Sequence, residues 1–105
     1  MSTPRIPIPQ DALARLCQRW MITEFALFGS VLRDDFGPES DVDVLVSFAP
    51  EAQWTYFQVF NLQDELERLL GRRIDLLTRR SVERHHNPWL RHAILRGATV
   101  VFPAA

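Results

Sequence analysis

Lysine is missing from this chain of 105 residues: all 12 basic side chains are arginine. A P-loop requires a lysine after its glycine turn, so that route to triphosphate binding is excluded. Phosphate recognition stays open to arginine, whose planar fork grips an anion with paired hydrogen bonds. Net charge is nearly absent too, at -1. No long-range field draws the chain to nucleic acid or to an anionic membrane, and no direct nucleic-acid binding is expected. The single cysteine, Cys17, excludes an internal disulfide and fits a reducing compartment. No apolar run approaches the roughly 18 residues of a membrane span. The opening MSTPRIPIPQ lacks the apolar stretch of a signal peptide. Repeats and low-complexity tracts are absent as well. The expectation is a cytoplasmic protein with one domain over residues 1–105.

What is there alternates between two periodicities. Pro4, Pro7 and Pro9 keep the first residues extended, and Pro9 opens a helix over about residues 10–21. Leu13, Leu16, Cys17, Trp20 and Met21 recur in it at helical spacing. TEFALFG reads as a short buried strand ending at Gly29, and Ser30 as the cap of a short helix, Val31 to Asp35, stopped by Gly37-Pro38. DVDVLVSF alternates as a second strand. Residues 53–70 form the longest helix, with Val59, Leu62, Leu66, Leu69 and Leu70 on one face and Gly71 at its end. RRIDLLT is a third strand, Ser81 begins a short helical turn, Pro88 opens a last helix to about Arg96, and TVVF is extended. This order predicts the α/β class: a single domain with a small mixed β-sheet flanked by helices.

The stretch FGSVLRDDFGPESDVDVLVSF, residues 28–48, holds five acids between two apolar strands. Side chains alternate along a strand, so Asp41 and Asp43 share one face while Val42 and Val44 point to the core. An isolated D-x-D reads first as a half-exposed edge strand whose polar face is acidic. Two adjacent carboxylates repel, however, and only Arg33 lies near enough in sequence to neutralise them. A divalent cation would do so, and magnesium prefers a carboxylate or two with phosphate and water completing its octahedron. Upstream, Gly29-Ser30 stands where a strand turns into a helix, a place with free backbone amides suited to phosphate; taken alone, Ser30 is simply a helix cap. Arg33 can meet an anion there or pair with Asp41 or Asp43. Loop and strand together describe a site for a nucleoside triphosphate with its metal.

Gly29-Ser30, Arg33 and Ser40-Asp41-Val42-Asp43 with its hydrophobic tail resemble the signature of the DNA polymerase beta-type nucleotidyltransferase superfamily. The short length is similar to its minimal nucleotidyltransferase (MNT) branch, and the likeness runs through RRIDLLT and NPWLRHAIL. The resemblance implies the polymerase beta-like nucleotidyltransferase fold and a third carboxylate from a later strand, Asp75. Without it, Asp75 reads as an edge aspartate paired with Arg72 or Arg73. Asp41, Asp43 and Asp75 are then the catalytic and metal-binding residues, and Gly29, Ser30, Arg33 and Ser40 the nucleotide-binding ones. Two Mg2+ ions and ATP are implied, with attack on the α-phosphate and pyrophosphate leaving. For the acceptor, the resemblance implies a tyrosine of a HEPN-domain ribonuclease encoded nearby, silenced by AMP, with this chain as the antitoxin. Two alternatives stand beside it: an antitoxin that silences by contact alone, and a nucleotidyltransferase acting on a small molecule.

Aromatic residues exceed what one core stripe needs on the long helix. Phe57 and Phe60 are assigned to the core, while Trp54 and Tyr56 fit core or surface equally. The basic run from Arg79 through Arg80, Arg84 and Arg91 to Arg96 reads as a solvated face, or as a grip on partner or triphosphate. His85, His86 and His92 have no cysteine near and read as solvent-facing, so zinc is not expected. A homo- or hetero-oligomer is compatible with these surfaces, and no membrane association is expected.

Overall fold

The computed structural model describes residues 6–84 and 86–103. Pro4 and His85, both singled out in the sequence, lie outside them. The elements run α1 (Gln10–Arg19), β1 (Ile22–Phe28), a 3-10 turn (Gly29–Leu32), β2 (Val42–Phe48), α2 (Tyr56–Leu70), β3 (Ile74–Thr78), α3 (Arg79–Glu83), α4 (Pro88–Gly97) and β4 (Thr99–Phe102). The strands form one sheet in the order β3-β2-β1-β4. β2 and β3 are parallel, joined by a crossover through α2, and the other neighbours are antiparallel. The expected α/β class and small mixed sheet are what is found.

Helices cover both faces of this sheet. On one, Phe25, Leu27, Val42, Val44 and Val46 meet Leu13, Leu16 and Cys17 of α1 and Leu62 and Leu66 of α2. On the other, Ala26 and Leu45 meet Val82 of α3, with Ile94 and Leu95 of α4 packed against them. The middles of β1 and β2 are therefore apolar on both sides, which is why their sequences run Phe25-Ala26-Leu27 and Val44-Leu45-Val46 without a polar break. Asp43 lies on the α3–α4 face one step along the strand from Leu45, with Asp41 just before β2 on the same side. Burial pushes the Cys17 thiol up to about 12, so it acts as a small core hydrophobe.

Local rules account for most boundaries. The Thr55 hydroxyl accepts from the Gln58 N–H while the Gln58 side chain accepts from the Thr55 N–H, a reciprocal cap that starts α2. Gly71 ends it in the left-handed conformation, φ +69°. Asn87 caps α4 through the amides of Trp89 and Leu90, ahead of Pro88.

Several expectations need correction. α1 stops at Arg19, because Met21 takes φ +57° to turn into β1. The helix expected over Val31 to Asp35 is a single 3-10 turn ending at Leu32, with Arg33 already extended. Ser30 is not its cap: Gly29 is already inside the turn, and Phe28 occupies the capping position without a side-chain bond. α3 begins at Arg79 instead of Ser81, because the Thr78 hydroxyl accepts from the Ser81 N–H. Phe57 and Phe60 are not core: they are 82% and 65% exposed, beside Tyr56 at 88%. The Leu62–Leu66 stripe faces the sheet, which turns the Phe57 and Phe60 flank outward. Trp54 precedes the helix, donates its Nε1–H to the Trp20 carbonyl at 2.8 Å and packs edge-on against the Trp20 ring at 5.0 Å.

Candidate active site

Parallel pairing of β2 with β3 sets Asp43 opposite Asp75 and Val42 opposite Ile74. Residues in register on neighbouring strands share a face, so these two carboxylates stand roughly one strand spacing, ~4.8 Å, apart at the backbone. Asp43 is also opposite Phe28, the last residue of β1 before the turn. Burial pushes the Asp43 carboxyl up, and the charges of Asp75 and Asp41 push it further; Arg33 pulls the other way. Asp75 and Asp41 are thus both close enough for their charges to act on Asp43.

The turn at Gly29 lies against the same group. Gly29 adopts φ +76°, and a Cβ there would fall 2.2 Å from Asp43 Oδ2. Ser30 follows, its carbonyl accepting from the Arg33 N–H at 2.9 Å. The Arg33 side chain hydrogen-bonds Asp35 Oδ1 at 3.0 Å and holds that carboxyl below the usual range. The expected pairing of Arg33 with Asp41 or Asp43 is therefore not the one made, although its charge still reaches Asp43. Asp41 pairs with Arg73 instead, Nε to Oδ1 at 3.4 Å. Ser40 uses its hydroxyl to accept from the Gly37 N–H at 3.0 Å, closing the loop ahead of β2.

Three residues hold this arrangement: Arg72, which the sequence offered only as a partner for Asp75, and Gln63 and Glu67, which sequence reasoning passed over. Arg72 stacks its guanidinium 4.4 Å over the Phe36 ring and donates to the carbonyls of Gly37 and Ser40, at 2.6 and 2.7 Å. It pins the 36–40 loop and is not available to Asp75. Gln63 and Glu67 of α2 reach the edge strand: Gln63 donates to the Ile74 carbonyl at 3.0 Å, and Glu67 accepts from the Ile74 N–H at 2.9 Å. Both outward backbone groups of Ile74 are thereby satisfied, which fixes the start of β3 and with it Asp75. The i, i+4 spacing of Gln63 and Glu67 on one helix flank was the available signal.

Two cavities flank the carboxylates. One of about 580 Å³ lies between Pro38–Asp41 and Gly71–Arg73. Another of about 410 Å³ lies between the Gly29 turn and α4, walled by Phe28, Leu32, Arg33, Ala93 and Ile94. A third, about 880 Å³, opens at the far end of β2 around Val46 to Phe48, away from the acids. Among the described residues, no group of three or more His, Cys, Asp or Glu side chains forms a ready cage for a metal ion. His86 and His92 are exposed, as are Arg80, Arg84 and Arg96, while Arg79 pairs with Glu24 at 2.8 Å. Among the described residues no helix is long and apolar enough to cross a membrane.

A mixed sheet of this order, with a glycine turn facing an aspartate strand, is the frame of a nucleotidyltransferase. The chain belongs to the nucleotidyltransferase domain family, whose model matches residues 10–98. It is similar to the protein adenylyltransferase MntA of Thermococcus cleftensis, 37% identical over 68 residues, 65% of this chain and 67% of that protein. A solved structure, provisionally named a minimal nucleotidyltransferase, is 34% identical with a TM-score of 0.66, covering 86% of each chain. A chain from the complex of a tri-AMPylated Shewanella oneidensis HEPN toxin with an MNT antitoxin shares the fold alone, at 19% identity and a TM-score of 0.58, over 87% of this chain and 66% of that one.

Proposed function

We propose that this protein is an antitoxin acting as a protein adenylyltransferase: it transfers AMP from ATP to a tyrosine of a cognate HEPN ribonuclease toxin and so neutralises it. The observation that carries this reading is the in-register pair of Asp43 and Asp75, with Asp41 on the same side and the Gly29 turn against Asp43. The acceptor is supported by the adenylyltransferase relative and by the shared fold with a chain of the toxin complex. The cytoplasm, which holds both ATP and the RNA a ribonuclease toxin attacks, is where this reading places it.

The donor set fits magnesium. It is three carboxylates with no thiolate or imidazole, hard oxygen donors whose mutual repulsion a divalent cation relieves. Nucleotide phosphates and water would complete its octahedron. Asp41, Asp43 and Asp75 would be the residues that hold it. Bound there, magnesium would supply charge neutralisation at the α-phosphate and at both oxygens of an in-line displacement.

The chain's own groups do the rest. The amides of the Gly29-Ser30 turn and the Arg33 guanidinium receive the β- and γ-phosphates. A single 3-10 turn supplies amides without the summed dipole of a long helix, so Arg33 carries more of the charge. The Ser40 hydroxyl accepts from the Gly37 N–H to hold its own loop closed, and its O–H donates to the nucleotide. Asp75, on the edge strand, takes the proton of the arriving tyrosine hydroxyl. The tyrosine oxygen bonds to the α-phosphorus, the bond to the bridging oxygen breaks, and pyrophosphate leaves on the Gly29 side.

The test uses ATP labelled at the α-phosphate, magnesium, and the protein encoded beside this one. Label on a tyrosine of that protein, lost in Asp43→Asn, is the expected result. Undiminished toxin neutralisation by the Asp41→Asn, Asp43→Asn double variant defeats the proposal in favour of silencing by contact. Label confined to small acceptors defeats it in favour of a small-molecule enzyme.

A further inference from the structure

Asp41 stands apart from the other two acids in having a direct ion pair among the described residues: Arg73 Nε lies 3.4 Å from its Oδ1. We infer that Arg73 is a positioning residue, an exchangeable counter-cation that occupies Asp41 in the metal-free protein and yields it when a divalent cation binds. The inference rests on the proposed cation site and adds to it a control over its affinity.

The placement supports exchange over a fixed structural bridge. Arg73 immediately precedes β3 and Asp41 immediately precedes β2, so the pair sits one step before the Val42 and Ile74 register and on the side of Asp43 and Asp75. The backbone beneath is already fixed, with the Val42 N–H donating to the Arg73 carbonyl at 2.8 Å. The guanidinium is therefore not needed to hold the two strands together. Its side chain is 83% exposed and that of Asp41 51%, at a single contact rather than a two-pronged one. Pairs of that kind contribute little to stability and break readily. Arg72, next in the chain, is the contrast: it is tied to two carbonyls and a ring, and is not free to exchange. Once displaced, Arg73 has room to move, because it lines the 580 Å³ cavity on the β3 side.

A fixed positive charge competing for a cation ligand must weaken the cation. Electrostatics makes the competition dependent on ionic strength, because salt screens exposed charges over about 10 Å at 0.1 M. Removing the charge without removing bulk should tighten binding, and keeping the charge on another stem should restore it.

Calorimetric titration of the full chain with MgCl2, and with MnCl2 as the spectroscopically visible substitute, tests this with no acceptor required. Arg73→Met is expected to bind the cation about three- to tenfold more tightly than wild type at low salt, with the gap closing at 0.5 M KCl. Arg73→Lys is expected to stay near wild type. In wild type the Arg73 Nε–H resonance should move on adding magnesium and should be insensitive to magnesium in Asp41→Asn. Equal or weaker binding by Arg73→Met, in a protein that melts like wild type, overturns the exchange while leaving the enzymatic proposal intact. Absence of any divalent binding by wild type overturns both.

Discussion

Gly29 and Asp43 occupy adjoining space: a Cβ on the glycine would lie 2.2 Å from Asp43 Oδ2, and the glycine is at φ +76°. One position thus answers to two demands, a left-handed backbone and room for a carboxylate. Gly29→Ala should lose about 1–2 kcal/mol from the backbone alone and displace Asp43 besides. Chemical denaturation should show the loss shrinking when the same change is made in an Asp43→Ala background, while adenylylation falls at least a hundredfold in Gly29→Ala.

Asp43 should make stability depend on pH in the reverse of the usual carboxylate sense. Its folded pKa is raised by burial, then by Asp75 and Asp41, so the native state binds that proton more tightly than the unfolded chain. The stabilisation is fully present below the ordinary carboxylate pKa, about 4, and is lost as pH rises through the raised value. Asp43→Asn should therefore melt higher than wild type at pH 7 in EDTA, with the two curves converging toward pH 4. A melting gap that is constant with pH would contradict this.

Arg72 should govern activity through the 36–40 loop. Arg72→Ala removes two charge-assisted hydrogen bonds and the stacking on Phe36, a loss of about 1–3 kcal/mol. Arg72→Lys should recover little, since an ammonium cannot reproduce the fork. Magnesium affinity of both variants, read by calorimetry, should fall as Asp41 loses its register.

Glu67 and Gln63 should matter to Asp75 without approaching it. Glu67→Leu leaves the Ile74 N–H unsatisfied at the sheet edge, costing about 1–3 kcal/mol. Amide exchange at Ile74 should speed up first, ahead of the β2 amides, and Glu67→Gln should restore protection because it keeps an acceptor oxygen.

The two flanks of α2 should separate cleanly on substitution. Leu62→Ala and Leu66→Ala, both fully buried, should each cost about 2–5 kcal/mol. Phe57→Ser and Phe60→Ser should stay within about 0.5 kcal/mol of wild type. Denaturant midpoints decide it.

Much of this was legible in order along the chain. The alternation of Asp41-Val42-Asp43-Val44 put two valines in the core, and both are fully buried there, in a strand that begins at Val42. Gly71 as a helix stop and Pro88 as a helix start followed from backbone sterics that need no distant partner. The core assignment of Phe57 and Phe60 fails because a helix with apolar groups on both flanks has no local feature that says which flank meets the sheet. Ser30 was misread as a cap because serine after glycine looks the same before a helix as inside a 3-10 turn.

By itself the sequence determined the elements, the family signature and the shared side of Asp41 and Asp43, because each depends on spacing within a few residues. Only the tertiary structure decided that Asp75 stands opposite Asp43, that Arg73 and not Arg33 takes Asp41, and that Arg72, Gln63 and Glu67 hold the frame. Those facts belong to strand register and to contacts across many residues of chain. Register is set by how the whole apolar face packs, and no short stretch of residues contains that information.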